Sequence, residues 1–260
     1  MLSLAAKHSR GNQRVYESGS VAGVYTTMGE LFPAERAMLD RLENRLPDIR
    51  MLDLGVGGGR TTVHFSHRVK TYLGIDYSAA MIAGCRGRFP DPPSNVGFAV
   101  GDARDLAGCP DAGFDLILFS YNGIDYIGHE DRHRALRELR RLAAPGAWVC
   151  FSSHNLMSLG LPRPAGATGG WRALLRRAAM RVLNGDLRKV RQGAYAVIHD
   201  DGCRFRLRTF YVRPTEQAAQ LRALGLMDVK VFGLDGRELD SAAAADESPD
   251  EWLYYLARSP

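Results

Sequence analysis

The sequence predicts an α/β fold, a doubly wound and mostly parallel sheet with helices on both faces. Two observations carry this. Short apolar runs of strand length alternate with segments of helical spacing between residues 31 and 151, and strands separated by helices of ten to fifteen residues need crossovers, hence parallel pairing. A glycine cluster, Gly55, Gly57 and Gly59, closes the first apolar run, where such a sheet turns from strand into helix.

The elements follow in order. Leu31 to Leu46 has helical spacing, and Arg50 to Leu54 is a short buried strand stopped by glycines. A helix is expected from about Gly59 to His67, then a strand at Thr71 to Asp76, a helix at Ser78 to Phe89 and a strand at Val96 to Val100. Phe114 to Phe119 reads as the fourth strand, His129 to Ala143 as a strongly charged helix and Ala147 to Phe151 as the fifth strand. After Asn155 the alternation breaks into a Pro/Gly-rich stretch, a basic amphipathic helix from Trp171 to Leu183 and a hairpin turning at Asp201-Gly202. The core resumes with a helix at Thr215 to Leu224, a strand at Asp228 to Phe232, a surface loop at Ser241 to Pro249 and a last strand at Trp252 to Ala257.

At 260 residues, 45% hydrophobic and 24% charged, the chain suits a single α/β domain with additions. The expected division is an N-terminal arm over residues 1–29, a core over 30–154 and 211–260, and a lid-like insert over 155–210. No apolar run approaches membrane-spanning length and Met1 to Lys7 is too short for a secretory core, so a soluble cytoplasmic protein is expected. Cys85, Cys109, Cys150 and Cys203 form no C-x-x-C pair and read as free thiols. The net charge of +5 is local in origin: residues 163–191 hold eight basic side chains against the single Asp186. Modest basicity confined to one segment does not indicate nucleic-acid binding.

In an open parallel sheet, ligands bind beyond the carboxyl ends of the strands where strand order reverses, so the residues after each strand come first. Gly55, Gly57 and Gly59 let the backbone turn tightly and approach a ligand, with a helix N-terminus behind them. Asp53 at the strand end orients the loop, Asp76 after the second strand can accept from both hydroxyls of a ribose, and Asp102 after the third can accept from an adenine amino group beside the Ala103 N–H. A tight turn without ligand is the bland alternative, and the three acidic strand ends weigh against it. A dinucleotide fingerprint needs glycine where Arg60 stands.

Leu52-Asp-Leu-Gly-Val-Gly-Gly-Gly59, Leu73-Gly-Ile-Asp76-Tyr-Ser, Val100-Gly-Asp102-Ala, Phe114-Asp-Leu-Ile and Leu142-Ala-Ala-Pro145-Gly146 resemble the successive motifs of class I S-adenosylmethionine-dependent methyltransferases, in order over about 100 residues. The resemblance implies a seven-stranded sheet with an antiparallel last strand, and S-adenosyl-L-methionine as cofactor. It implies that Gly55 and Gly57 shape the loop, Asp76 takes the ribose and Asp102 the adenine, with Tyr77, Met81 and Ser120 alongside. Arg60 and Thr61 depart from the family's small residues and leave the contacts to the amino-acid end open. Family members often bring an aromatic residue from an N-terminal arm to the cofactor, and Tyr16 or Tyr25 is similar in placement; surface packing is the other reading of either.

Methyl transfer is an in-line displacement in which the protein aligns the reactants and removes any proton that the acceptor must lose. Ser120-Tyr-Asn-Gly-Ile-Asp-Tyr126 follows the fourth strand with no [DNS]-P-P-[YF] motif and no Pro-Cys nucleophile, which argues against adenine, glutamine and cytosine methylation. His154, after the fifth strand, is the candidate general base, with a structural histidine as the alternative. Tyr121, Asn122, Asp125 and Tyr126 either position a polar acceptor or cap the loop before the next helix. A metal set of Asp125, His129, Asp131 and His133 is set aside, because Glu130, Asp131 and Arg132 fit an exposed helix start, so no metal is expected.

In the insert, Trp171, Leu174, Leu175, Ala178 and Val182 share one helix face, and Arg172, Arg176, Arg177 and Arg181 take the rest. Arg204, Arg206 and Arg208 share one strand face and Phe205 and Leu207 the other. Packing of both apolar faces on the core is the bland reading; an anionic acceptor, a membrane surface or RNA are the sharper ones, RNA the weakest because aromatics do not interleave with the arginines. The Asn122-Gly-Ile-Asp125 and Ser152-Ser-His-Asn155 segments resemble bacterial small-molecule methyltransferases. The expectation is a methyltransferase acting on O or N of a small molecule, with the insert and arm closing over it. An RNA or protein methyltransferase docking through the insert and a noncatalytic S-adenosylmethionine-binding module are its rivals.

Overall fold

The computed structural model of the chain describes residues 11–17, 19–161, 171–200 and 205–260. Five strands, β1 (Arg50–Leu54), β2 (Thr71–Asp76), β3 (Val96–Val100), β4 (Phe114–Phe119) and β5 (Ala143–Asn155), pair in parallel in the order β3-β2-β1-β4-β5. The hairpin that follows contributes β6 (Tyr195–His199) and β7 (Arg208–Val212), and the chain ends with β8 (Met227–Phe232), the two-residue β9 (Glu238–Leu239) and β10 (Trp252–Arg258). β10 runs antiparallel between β5 and β8, as expected of the last strand. Three further strands take the sheet to ten: β9 lies on β8, and the β6–β7 hairpin joins through a short parallel pairing of His154 and Asn155 with Tyr211 and Val212.

Alternation along the strands sorts the core into two layers. Leu52, Ile117, Phe119, Val149, Phe151, Leu253 and Tyr255 face one side, while Met51, Leu116, Leu118, Cys150, Tyr254 and Leu256 face the other. Side chains two apart share a face, so every central strand is apolar on both sides and needs a helix on each. Helix α2 (Pro33–Leu42) covers the second layer through Met38, Leu39 and Leu42. Helix α5 (His129–Leu142) covers the first through Leu136, Leu139 and Leu142. Two more helices flank the glycine loop: α1 (Gly19–Thr27) of the arm packs on α4 (Ala79–Arg88), which Ser78 caps by accepting the Met81 amide. Strand order reverses between β1 and β4, so the crevice lies at their carboxyl ends.

Several boundaries differ from the sequence reading. The helix expected over 31–46 starts at Pro33 and passes at Glu43 into a 3-10 turn containing Pro47. The helix behind the glycine loop is a single turn, α3 (Thr62–Phe65); the β-branched run Thr61-Thr62-Val63 favours helix weakly, so little helix dipole faces the loop. β5 is longer at both ends, and its polar end Ser152 to Asn155, which does not read as a strand, is buried because β10 pairs with it. His154 therefore lies within the strand. Part of the expected loop at 241–249 is a short helix over Ala242–Ala245, capped by Ser241.

Helix α5 does not begin exposed: Asp131 is buried and Arg132 fully so. In the insert, α6 (Trp171–Asn184) and α7 (Leu187–Val190) precede the hairpin. The apolar stripe of α6 does not pack on the core, since Trp171, Leu174, Leu175, Ala178 and Val182 are all exposed. The helix is held by its opposite side: Met180 packs near Ile198 and Tyr211, and the Asn184 amide exchanges hydrogen bonds with the His199 backbone. Arg206 and Phe205 precede β7 and sit in a turn, so the strand-face alternation of 204–208 does not form as expected. Asp201-Gly202, Arg163, Cys203 and Arg204 lie outside the described residues. Cys85, Cys109 and Cys150 are free thiols.

Candidate functional site

A cavity of about 1080 Å³, its mouth included, opens at the carboxyl ends of β1 to β4. Its walls include Tyr25, Asp53, Gly55, Gly57, Asp76, Tyr77, Met81, Asp102, Ala103, Ser120 and Tyr121. Gly59, Asp125 and His154 are not among its lining residues. Neither is any described residue of 155–210, so the walls that close it come from the arm, through Gln13, Tyr16 and Tyr25. The insert acts on the arm instead. Asn12 donates to the Arg208 and Tyr126 carbonyls (2.8 and 2.9 Å) and accepts from the Arg208 amide, while Leu207 packs with Val15, Tyr16 and Met81.

The glycine loop divides into two uses. Gly55 and Gly57 have φ of +63° and +54°, a region that favours glycine, and both face the cavity. A Cβ at Gly58 would lie 2.5 Å from the Thr26 backbone, so Gly58 is where the arm touches the loop. Gly59, at φ +82°, lies away from the cavity against Phe89 and Cys85. Its glycine is explained by packing, not by ligand approach.

Each acidic strand end sits in a different environment. Asp53 accepts from the hydroxyls of Thr61 and Tyr72 (2.5 and 2.6 Å), and burial pushes its carboxyl up to about 6. Asp76 accepts from the Gly57 amide (3.0 Å) and the Ser78 amide (2.9 Å); burial pushes it up to about 6 against those N–H donors. A carboxylate has about four acceptor positions, which leaves Asp76 capacity toward the cavity. Asp102 is already held by Arg104, whose Nε lies 2.9 and 3.0 Å from its two oxygens and whose Nη1 reaches Asp131 at 2.7 Å. Burial works against the charge on Asp102, but Arg104 outweighs it and keeps the carboxyl below its ordinary range. An adenine amino group would therefore share this carboxylate with a guanidinium.

Arg60, the sequence's departure from small residues, is buried and bidentate to Glu35, both contacts at 2.6 Å, and donates to the Glu30 carbonyl and Ser120 Oγ. Ser120 and Tyr254 also donate to Glu35, and the guanidinium lies over the rings of Phe32 and Tyr121. This network ties α2 to the end of β4.

Tyr121 and Asn122 adopt consecutive left-handed conformations at φ +53° and +60°, strained for residues with a side chain. What holds them lies behind the cavity. The Asn122 amide donates to Ser152 Oγ at 2.7 Å, and its side-chain nitrogen lies 3.5 Å from His154 Nε2. His154 Nδ1 lies 2.8 Å from Asp125 Oδ2, which also accepts the His154 amide; Asp125 Oδ1 takes Arg132 at 2.9 Å and Ser153 at 2.7 Å. Asp125 and Arg132 are fully buried, and Arg132 continues to Gln217. His154, expected as the general base, thus lies within β5, where it pairs with β10, and is absent from the residues that line the cavity.

Tyr16, Tyr25, Tyr77, Tyr121 and Tyr126 all line the cavity. Tyr16 meets Tyr25, Tyr77 and Tyr126 edge to face at 6.0, 6.0 and 5.3 Å. The Tyr77 hydroxyl is buried with no hydrogen-bond partner among the described residues. Tyrosine rings present negative faces to a cation, and an open hydroxyl can serve a polar ligand. Among the described residues no group of three or more His, Cys, Asp or Glu is placed to hold a metal.

Residues 51–146 match the family described as a methyltransferase domain. The chain is 32% identical over 205 residues to malonyl-[acyl-carrier protein] O-methyltransferase of Halorhodospira halophila, covering 75% of this chain and 66% of that one. It is 36% identical over 107 residues to ajmaline N-methyltransferase of Rauvolfia serpentina, covering 40% and 35%. The chain thus spans about a third to two thirds of the length of these relatives. Burkholderia thailandensis 1,6-didemethyltoxoflavin-N1-methyltransferase, solved with 1,6-didemethyltoxoflavin and S-adenosylhomocysteine, superposes with a TM-score of 0.63 at 15% identity, over 100% of this chain and 92% of that one.

Proposed function

We propose that this chain, which belongs to the class I S-adenosylmethionine-dependent methyltransferases, transfers a methyl group to an oxygen or nitrogen of a small-molecule acceptor. The observation that carries the reading is one cavity bounded by a positive-φ glycine loop, the Asp76 carboxylate and five tyrosines. Support for the acceptor class comes from the relatives, which include an N- and an O-methyltransferase by name.

The residues present fit the cofactor. Gly55 and Gly57 leave the loop's backbone open to the cavity, and the remaining lone pairs of Asp76 suit two ribose hydroxyls. Tyr77 and Met81 flank the side toward Asp102 and Ala103, where an adenine belongs. Tyr16 and Tyr25 offer faces to a positively charged sulfur. Bound there, S-adenosylmethionine supplies an electrophilic methyl group. The chain's part is to exclude water and fix the acceptor between Tyr121, Gly123 and Tyr126. In this reading His154 and Asp125 are positioning residues that hold the strained 121–126 loop, and His154 removes no proton from the acceptor.

The test is calorimetry with S-adenosylhomocysteine together with transfer of a labelled methyl group across a panel of amines, phenols and carboxylic acids. Wild type binds, and Asp76→Asn weakens binding by about 10- to 100-fold, the loss expected of hydrogen bonds to a charged group. No binding to wild type, or equal binding in the variant, defeats the cofactor reading; binding with no turnover on any acceptor defeats the catalytic one.

A further inference from the structure

Helix α6 carries an unusual distribution of apolar surface. Trp171 is 65% exposed, Leu174 66%, Leu175 58% and Val182 83%. At about 100° per residue these positions and Ala178 centre on the side opposite Met180 and Asn184, the two residues that fasten the helix to the hairpin. The stripe therefore faces outward. Positions 172, 176, 177 and 181, all arginine, fall on its two flanks by the same register, and Arg188, Lys189 and Arg191 follow directly.

We propose that α6 is an in-plane anchor that lays this stripe into the surface of an anionic lipid bilayer. The stripe holds Trp171, two leucines and Val182 and is bordered on both sides by arginine positions, which is the pattern of a helix seated at the boundary of headgroups and acyl chains. Anionic headgroups complement the arginine rims, each basic residue near such a surface being worth about 1 kcal/mol. With 14 residues the helix lies on a membrane and does not cross one. A second copy of the chain is a poorer occupant, because pairing two such stripes sets arginine against arginine. RNA is poorer still, since a stripe with Trp171 as its single aromatic residue offers no run of rings for successive bases. The anchor stands independently of the methyl-transfer reading.

The experiment is co-sedimentation of the full chain with vesicles of phosphatidylcholine alone and of phosphatidylcholine mixed with phosphatidylglycerol. Wild type binds the anionic vesicles at least about tenfold more tightly than the neutral ones, and added salt weakens that binding. Leu175→Glu/Val182→Glu abolishes it, and Arg181→Glu reduces it, while melting temperature and S-adenosylhomocysteine affinity stay as in wild type. Equal partitioning of wild type into both vesicle types overturns the proposal, as does undiminished binding of the double glutamate variant. So does sedimentation showing a wild-type dimer, without lipid, that the same variant dissociates.

Discussion

Arg132 and Asp125 face each other at 2.9 Å with both side chains at zero exposure. Burial holds the Arg132 guanidinium below its ordinary range, and the Asp125 carboxylate acts against that. Removing one partner leaves a buried carboxylate without its counter-ion, so Arg132→Met is expected to cost about 3–5 kcal/mol. Denaturant unfolding measures it. Adding Asp125→Asn to Arg132→Met should recover part of the loss; a double variant no better than the single one would show that the pair does not act as a unit.

His154 is not among the residues that line the cavity, and its two readings, proton acceptor and positioning residue, predict different kinetics. His154→Gln should lower kcat/KM by less than about tenfold and leave the shape of the pH profile unchanged. A proton-accepting histidine would instead take with it about 100- to 10,000-fold in kcat, together with the rising limb of the profile. Initial rates across pH distinguish the two.

The Thr26 backbone occupies the place a side chain at Gly58 would need, 2.5 Å away. Gly58→Ala is expected to push the arm off the loop, at a cost of about 1–3 kcal/mol. Affinity for S-adenosylhomocysteine should fall by about tenfold or more, because Tyr25 moves with Thr26. Calorimetry and a melting curve test this; unchanged affinity would mean that the arm takes no part in binding.

Asp53 gives the ligand-free protein a distinctive pH response. Its carboxyl titrates at about 6, raised by burial from an ordinary 3.8. Between those values the folded chain keeps a proton that the unfolded chain has released, so stability falls as pH rises from about 4 to 6 and stays reduced above. A shift of this size costs roughly 3 kcal/mol once the group is ionised. Asp76, also raised to about 6, acts in the same direction. Asp53→Asn should therefore be more stable than wild type at neutral pH and melt with a shallower pH dependence. Equal slopes in both proteins would contradict this.

The legible parts of the chain were those governed by local rules. Short apolar runs alternating with helical spacing, the first run stopped by glycines, place β1 to β4, and the spacing from Gly55 to Asp76 and Asp102 anticipates three groups that line one cavity. Ser152 to Asn155 look polar and loop-like, yet β10, about 100 residues later, pairs with them and buries them. Arg132 reads as solvated by composition, although it stands on the same helical stripe as Ala135, Leu136 and Leu139, the one signal of its burial. Gly58 and Gly59 look like loop glycines, and only the distant Thr26 and Phe89 decide what each is for. Long-range partners were the missing information in every case.

Tyr16 and Tyr25 belong to a segment that walls the same cavity as the glycine loop and the 121–126 loop. Through Tyr16, which meets both Tyr77 and Tyr126, that segment reaches both sides of the cavity. Where binding of one ligand settles this segment, linkage requires that each raise the other's affinity by the same factor. Release obeys the same reciprocity: when one ligand departs, the grip on its companion loosens.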